Sequence, residues 1–221
     1  LDSLALEGLL ATPAGRTARA LVVVHLYGQL ADMAAILPIA KRAGLSVVED
    51  CAQAHAASQD GIMAGNWGDL GCFSFYPTKN LAALGDGGAV VGNNPELAKK
   101  IRLLREYGWQ ERYISAQFGL NSRLDEMQAA ILRARLPNLL ADNDKRRNIA
   151  DLYDKKLTSS QVSTPWRAPQ GRHVFHQYVI TDRDRENLRM QLKERGIASL
   201  VHYPLAAHQQ PAYANPDYRP L

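Results

Sequence analysis

The chain has 221 residues, 46% of them hydrophobic and 22% charged, with a formal net charge of +4. That length carries one sizeable core or one domain plus part of another, and no apolar run approaches the roughly 18 residues of a membrane helix. No charged-then-apolar leader opens the chain, so a cytoplasmic protein is expected, and the densest basic run, Lys145-Arg146-Arg147, follows Asp142 and Asp144 as on a solvated helix face rather than a nucleic-acid site.

The first half alternates β-branched apolar runs with helix-like stretches. ALVVVHL (20–26) reads as a buried strand, DMAAILPIAKRAG (32–44) as a helix closed by Gly44, and LSVVED (45–50) as a second buried strand. GCFSFY (71–76) and GAVVG (88–92) read as two more, which makes an α/β architecture with a largely parallel sheet. NNPELAKKIRLLREYG (93–108) has an asparagine cap and Pro95 at the first helical position. NSRLDEMQAAILRARL (121–136) places Ser122 and Asp125 in capping-box spacing, with Leu124, Met127 and Ile131 on one side, and Pro137 should bend or end this helix. Residues 159–172, rich in Ser, Pro and Gly, read as a crossing into a smaller unit with a strand at 173–180, a helix at 184–196 and a strand at 197–204.

The chemistry gathers around Lys79, in FSFYPTKNLAALGDGG (73–88). A lysine between aromatic residues and glycines suits one that reacts with a carbonyl, which needs a fixed position and a lowered pKa. Asp50 closes a buried strand, at the edge of the sheet where open α/β folds bind ligands, although a strand-ending aspartate can equally cap the next turn. Gln53 and His55 follow within a turn, Ser74 leaves the strand before Lys79, and Asp86-Gly87-Gly88 lets the backbone fold back closely. A carboxylate, a hydroxyl, a lysine and glycines at successive strand ends suit an anionic cofactor with a ring nitrogen and an aldehyde, and pyridoxal phosphate is such a molecule. The only cysteines, Cys51 and Cys72, are too few for a disulfide framework, and with His55 they make an incomplete zinc set, so buried thiols and no metal are expected.

EDCAQAHAA (49–57), GDLGCFSFYPTKNLAALGDGGAVV (68–91), GLNSRLDEMQAAIL (119–132) and VHYPLAAHQQPAY (201–213) resemble the DegT/DnrJ/StrS family of pyridoxal-phosphate nucleotide-sugar aminotransferases. The resemblance implies a type I aminotransferase fold, with residues 1–158 as part of a large cofactor-binding domain and 159–221 as part of a small α+β C-terminal domain. It makes Lys79 the Schiff-base lysine and proton shuttle, and Asp50 the partner of the pyridine nitrogen. It places Gln53 beside the ring, Ser74 on the phosphate, and Asn121 across a homodimer interface on the partner subunit's phosphate. His25, Tyr27, His202 and Tyr203 are weaker candidates for substrate contact, since packed His and Tyr side chains are commoner than catalytic ones.

The implied reaction moves an amino group, with glutamate as the expected donor, to a nucleotide-linked 6-deoxy-keto-sugar in amino-sugar biosynthesis. A dehydratase branch of the family carries histidine in place of the lysine, and Lys79 argues against it. Family members are longer at both ends, so both domains are expected to be incomplete here and the chain to be a fragment of a larger polypeptide. Ala56 stands where glycine is common and Asn66-Trp67 is unusual, which leaves the shape of those loops open. A non-catalytic or regulatory member without cofactor is the alternative from another class; a desulfurase or amino-acid aminotransferase would lack GLNSRLDEMQ.

Overall fold

In the computed structural model, which describes residues 1–158 and 161–213, the chain opens with helix α1 (Ser3–Ala11), capped by the Asp2 carboxylate accepting from the Ala5 N–H at 2.8 Å. Strand β1 (Ala20–Val24), helix α2 (Met33–Arg42) and strand β2 (Ser46–Asp50) form a strand–helix–strand unit with the strands parallel and Val24 opposite Asp50. Two short strands, β3 (Ser58–Gln59) and β4 (Ile62–Met63), pair as a hairpin. Strand β5 (Leu70–Ser74) then joins β2 in parallel, and β6 (Gly88–Val91) closes the sheet antiparallel to β5, in the order β1-β2-β5-β6. The carboxyl ends of three parallel strands thus share one edge.

Period-two alternation decides which side chains enter the core. Val23, Val47 and Cys51 pack against Met33, Ile36, Ile39 and Ala40 of α2 and Leu6 of α1. Val22 and Val24 lie on the other face of β1, 61% and 44% exposed, so the sheet is covered on one side there. A second apolar cluster, Leu81 and Ala83 with Leu132 and Leu139, anchors the loop that follows Lys79.

Helix α3 (Pro95–Leu104) starts as its sequence indicates, with the Asn94 side chain accepting from the N–H groups of Glu96 and Leu97. It leads to the hairpin of β7 (Trp109–Glu111) and β8 (Ile114–Ser115). Helix α4 (Glu126–Arg135) departs from expectation: its N-cap is Asp125 rather than Ser122, because the Ser122 N–H is committed to the Arg105 carbonyl at 2.9 Å and keeps this stretch extended. Its buried residue is Leu132, whereas Met127 is 73% exposed. Pro137 lies in a 3-10 turn that bends the chain into the long helix α5 (Leu139–Leu157).

The strand expected at 173–180 does not form. Pairing with β3 stops after β9 (Gly171–Arg172), and the next backbone groups turn to the loop after β1, with the Val174 N–H donating to the Gly28 carbonyl at 2.8 Å. Phe175, at φ 43°, then breaks the extended run. Gly28 sits at φ 108°, and a Cβ there would lie 2.9 Å from the His176 nitrogen, so this close approach requires glycine.

Contacts divide the chain into one unit of Leu1–Ser160 with Thr164–Ile180 and another of Gln161–Ser163 with Thr181–Leu221. The first change of unit comes at 160/161 rather than at 158/159, and 164–180 returns to the first unit, where Val174 and Phe175 are buried. The second unit contains helix α6 (Arg185–Glu194), capped by Asp184. The strand expected at 197–204 is not formed; Ile197 and Leu200 are 51% and 81% exposed. Among the described residues no helix is long and apolar enough to cross a membrane.

Candidate active site

At the carboxyl end of β2, Glu49 and Asp50 point to opposite faces. Glu49 is fully buried, and its carboxylate accepts from Nε2 of His25 (2.8 Å) and from the N–H groups of Gly65 (2.8 Å), Trp67 (2.8 Å) and Gly68 (2.7 Å). Burial alone pushes this carboxyl up, but the four hydrogen bonds favour its charged form and hold it below the ordinary value. Nδ1 of His25 accepts from the Ala31 N–H at 3.2 Å, so the ring proton sits on Nε2. His25, expected as a substrate candidate, is therefore a buried structural residue with both nitrogens engaged.

Asp50, half-buried on the other face, accepts from the Ala52 N–H through Oδ1 at 3.0 Å, so it does cap the next turn. Within that turn Gln53 is buried, and its Oε1 accepts from the Tyr27 N–H at 2.6 Å, tying the turn to the loop after β1. Tyr27 is held there at φ 60°.

Lys79 lies in a turn closed by its own N–H on the Tyr76 carbonyl (2.9 Å). The loop is pinned behind it, with the Ala83 N–H on the Phe75 carbonyl, the Leu84 N–H on Oε1 of Gln128 and Arg135 on the Ala82 carbonyl. The glycines are a packing requirement, since a Cβ on Gly88 would come 2.7 Å from the Phe73 carbonyl oxygen. Burial holds the Lys79 amine below its ordinary pKa, and the nearby Asp50 carboxylate works against that shift. Ser74, on β5, accepts through Oγ from the Tyr76 N–H at 3.3 Å, which leaves its hydroxyl proton to donate elsewhere.

His55 completes this edge. It is 2% exposed, packs against the rings of Phe73 and Phe75 at 5.3 and 6.1 Å, and faces the Ser74 backbone. Burial lowers its pKa to about 4, with the positive charge of Lys79 acting in the same direction, so the ring is neutral at pH 7.

The structure thus brings Asp50, Gln53, Ser74 and Lys79 to one edge of the first unit. Asn121 is exposed beside an isolated bridge to Glu106, and its Oδ1 accepts from Nε of Arg123 at 3.1 Å; no hydrogen bond joins it to Asp50, Ser74 or Lys79 among the described residues. His202 and Tyr203 belong to the second unit, where their rings meet edge to face at 5.2 Å.

Residues 10–220 match the DegT/DnrJ/EryC1/StrS aminotransferase family. The chain belongs to this family. It is 46% identical over 214 residues to the UDP-N-acetyl-3-dehydro-alpha-D-glucosamine 3-aminotransferase of Acidithiobacillus ferrooxidans, covering 96% of this chain and 58% of that protein. The crystal structure of DesV from S. venezuelae in complex with a ketimine intermediate superposes with a TM-score of 0.91 at 45% identity, over 98% of this chain and 58% of DesV. NtdA from Bacillus subtilis, solved with the bound cofactor PMP, superposes with a TM-score of 0.80 at 33% identity, over 90% of this chain and 46% of that one. The chain therefore spans about half the length of these relatives.

In this member of the DegT/DnrJ/EryC1/StrS family, sequence reasoning missed Glu49 as the hub beneath the site. The signal was present, since Glu49 occupies the buried phase of the strand between Val47 and Cys51. His25, Glu49 and Cys51 are close enough to suggest a metal site, but the hydrogen bonds on His25 and Glu49 occupy both ring nitrogens and both carboxylate oxygens.

Proposed function

We propose that the intact protein transfers an amino group from glutamate to the keto carbon of a nucleotide-linked sugar, with pyridoxal phosphate as cofactor. The observation that carries this reading is the pairing at one sheet edge of a half-buried carboxylate, Asp50, with a lysine whose amine burial keeps below its ordinary pKa. The donor set fits pyridoxal phosphate: a carboxylate for the ring nitrogen, a hydroxyl proton on Ser74 for the phosphate, an amine for the aldehyde, and in His55 a buried, neutral ring beside them. When bound, that cofactor supplies an electron-withdrawing ring that stabilises negative charge at the reacting carbon.

Asp50 would hold a proton on the ring nitrogen and so keep the ring electron-withdrawing. Lys79 would hold the aldehyde end of the cofactor, and as a free amine beside the reacting carbon it could take up and return a proton there. Its lowered pKa increases the share of unprotonated amine at neutral pH. Gln53, clamped to the Tyr27 N–H, keeps the turn after Asp50 in place under the ring.

We assign the keto group to C3 of the sugar on the reaction named for the A. ferrooxidans relative. The sugar is assigned to the 6-deoxy-keto-hexose class implied by the family resemblance, in keeping with the trideoxy and dideoxy amino sugars named for other relatives rather than with the N-acetylglucosamine derivative of the A. ferrooxidans protein. Glutamate and sugar use one pocket in turn, so the kinetics are ping-pong. Asn121 serves the site of a second copy in a homodimer, in keeping with the absence of a hydrogen bond from it to Asp50, Ser74 or Lys79 among the described residues.

Incubation with pyridoxal phosphate, borohydride reduction, digestion and mass spectrometry tests the cofactor assignment. A pyridoxyl mass confined to the Lys79 peptide is expected, followed by glutamate-dependent amination of a nucleotide-linked 3-keto sugar. Labelling scattered over many lysines, or none, overturns it.

A further inference from the structure

The residue after Lys79 belongs to a bridge of side-chain amides. Nδ2 of Asn80 donates to Oδ1 of Asn143 on α5 (2.8 Å) and to the Val174 carbonyl (3.0 Å), while Oδ1 of Asn80 lies 3.3 Å from Nδ1 of His176. Asn143 is 1% exposed and donates through Nδ2 to the carbonyl of His55 at 2.9 Å. All four polar atoms of the two amides are engaged, so removal of either residue leaves buried groups unpaired.

The bridge connects two stretches that the sheet alone does not fix to each other. One is the Lys79 turn, and the other is the turn from Asp50 to Ala57, which contains Ala56 at φ 62°. A left-handed alanine persists only where its surroundings hold it, and the bond on the adjacent His55 carbonyl is one such restraint. The ring nitrogen and the aldehyde carbon of pyridoxal phosphate are a fixed distance apart in a rigid molecule. A site that engages both ends therefore needs its carboxylate and its amine held at one separation.

We propose that Asn80 and Asn143 are positioning residues that set the separation of Asp50 and Lys79 for capture of the cofactor. Two neutral amides suit this task because they fix a direction without adding charge next to the Asp50–Lys79 pair. The proposal rests on the assignment of Lys79 as the cofactor lysine.

The test measures pyridoxal phosphate affinity by absorbance titration, with reduction and mass spectrometry at Lys79, in the intact protein and in Asn80→Ala and Asn143→Ala, each with and without Asp50→Asn. Each amide variant should weaken capture by about tenfold or more, and Asp50→Asn should matter far less in those backgrounds than in the wild type, because the two ends are no longer held in register. Tyr178→Phe, which removes a hydrogen bond to Asp154 in the same unit, serves as a control that lowers the melting temperature without changing capture. Folded amide variants that capture cofactor like the wild type, or an undiminished Asp50→Asn effect in them, would overturn the proposal. If Asn143→Ala does not fold, the half-buried Asn80→Ala decides by the same comparison. A wild-type protein that captures nothing at Lys79 overturns the lysine assignment and the proposal together, whereas capture unaffected by the amide variants overturns the proposal alone.

Discussion

Oε2 of Glu49 accepts a hydrogen bond from Nε2 of His25 at 2.8 Å, with both side chains wholly withdrawn from solvent. The same carboxylate holds the loop at Gly65, Trp67 and Gly68, so the charge next to Asp50 in sequence joins two loops on the far face of the strand. Glu49→Gln removes the charge and turns an amide NH2 toward N–H donors, and should cost about 3 kcal/mol in urea unfolding at neutral pH. Because the folded carboxyl lies below its ordinary 4.5, this stabilisation is present above about pH 4.5 and is lost as pH falls through the folded value. The gap between wild type and variant should therefore shrink in acid; a gap independent of pH would contradict the assignment of charge to Glu49.

Lys79 gives a second pH test. Burial lowers its pKa from 10.5 and Asp50 raises it, so Asp50→Asn should move the midpoint for acylation of Lys79 further down. The readout is competitive labelling of the cofactor-free protein, followed by mass spectrometry of the Lys79 peptide. A midpoint that rises in Asp50→Asn would show that the two groups do not interact in this way.

The strand-end positions of Asp50 and Ser74 were legible in the sequence because apolar runs place the strands and the last residue of each reaches the edge, whereas the cofactor roles proposed for Asp50, Gln53, Ser74 and Lys79 rest on the family resemblance. The elements at 173–180 and 197–204 were misread because an apolar run cannot reveal whether a ladder partner exists. Val174 spends its N–H on the Gly28 carbonyl, a choice made by a loop some 150 residues earlier. The start of α4 failed for a similar reason, as a long-range bond at Ser122 overrode a local capping signal. Asn80 and Asn143 carry no sequence signal at all, because their pairing exists only once α5 packs against the Lys79 turn.

Ala56 is held at φ 62°, a conformation that favours glycine. A left-handed alanine costs about 1 kcal/mol, part of which glycine would give back through the greater freedom of its unfolded chain. Ala56→Gly should therefore stabilise the fold by about 0.5 kcal/mol, read as a higher urea midpoint with an unchanged slope. A lower midpoint would mean that the methyl group, next to the Leu81, Ala83, Leu132 and Leu139 cluster, contributes more by packing than the backbone loses by strain.

Asn121 tests whether the site is shared between subunits. If it serves the partner's site, Lys79→Ala and Asn121→Ala subunits, each inactive alone, should recover activity when mixed. A heterodimer of the two has one site with both residues intact and one with neither, and random pairing makes half of all dimers heterodimers, so about a quarter of wild-type activity should return. If Asn121 instead acts within its own subunit, every site in the mixture lacks one of the two residues and no activity returns. Equal mixtures, with heterodimers verified by native mass spectrometry and turnover followed as glutamate consumed in the presence of the keto sugar, separate the two arrangements.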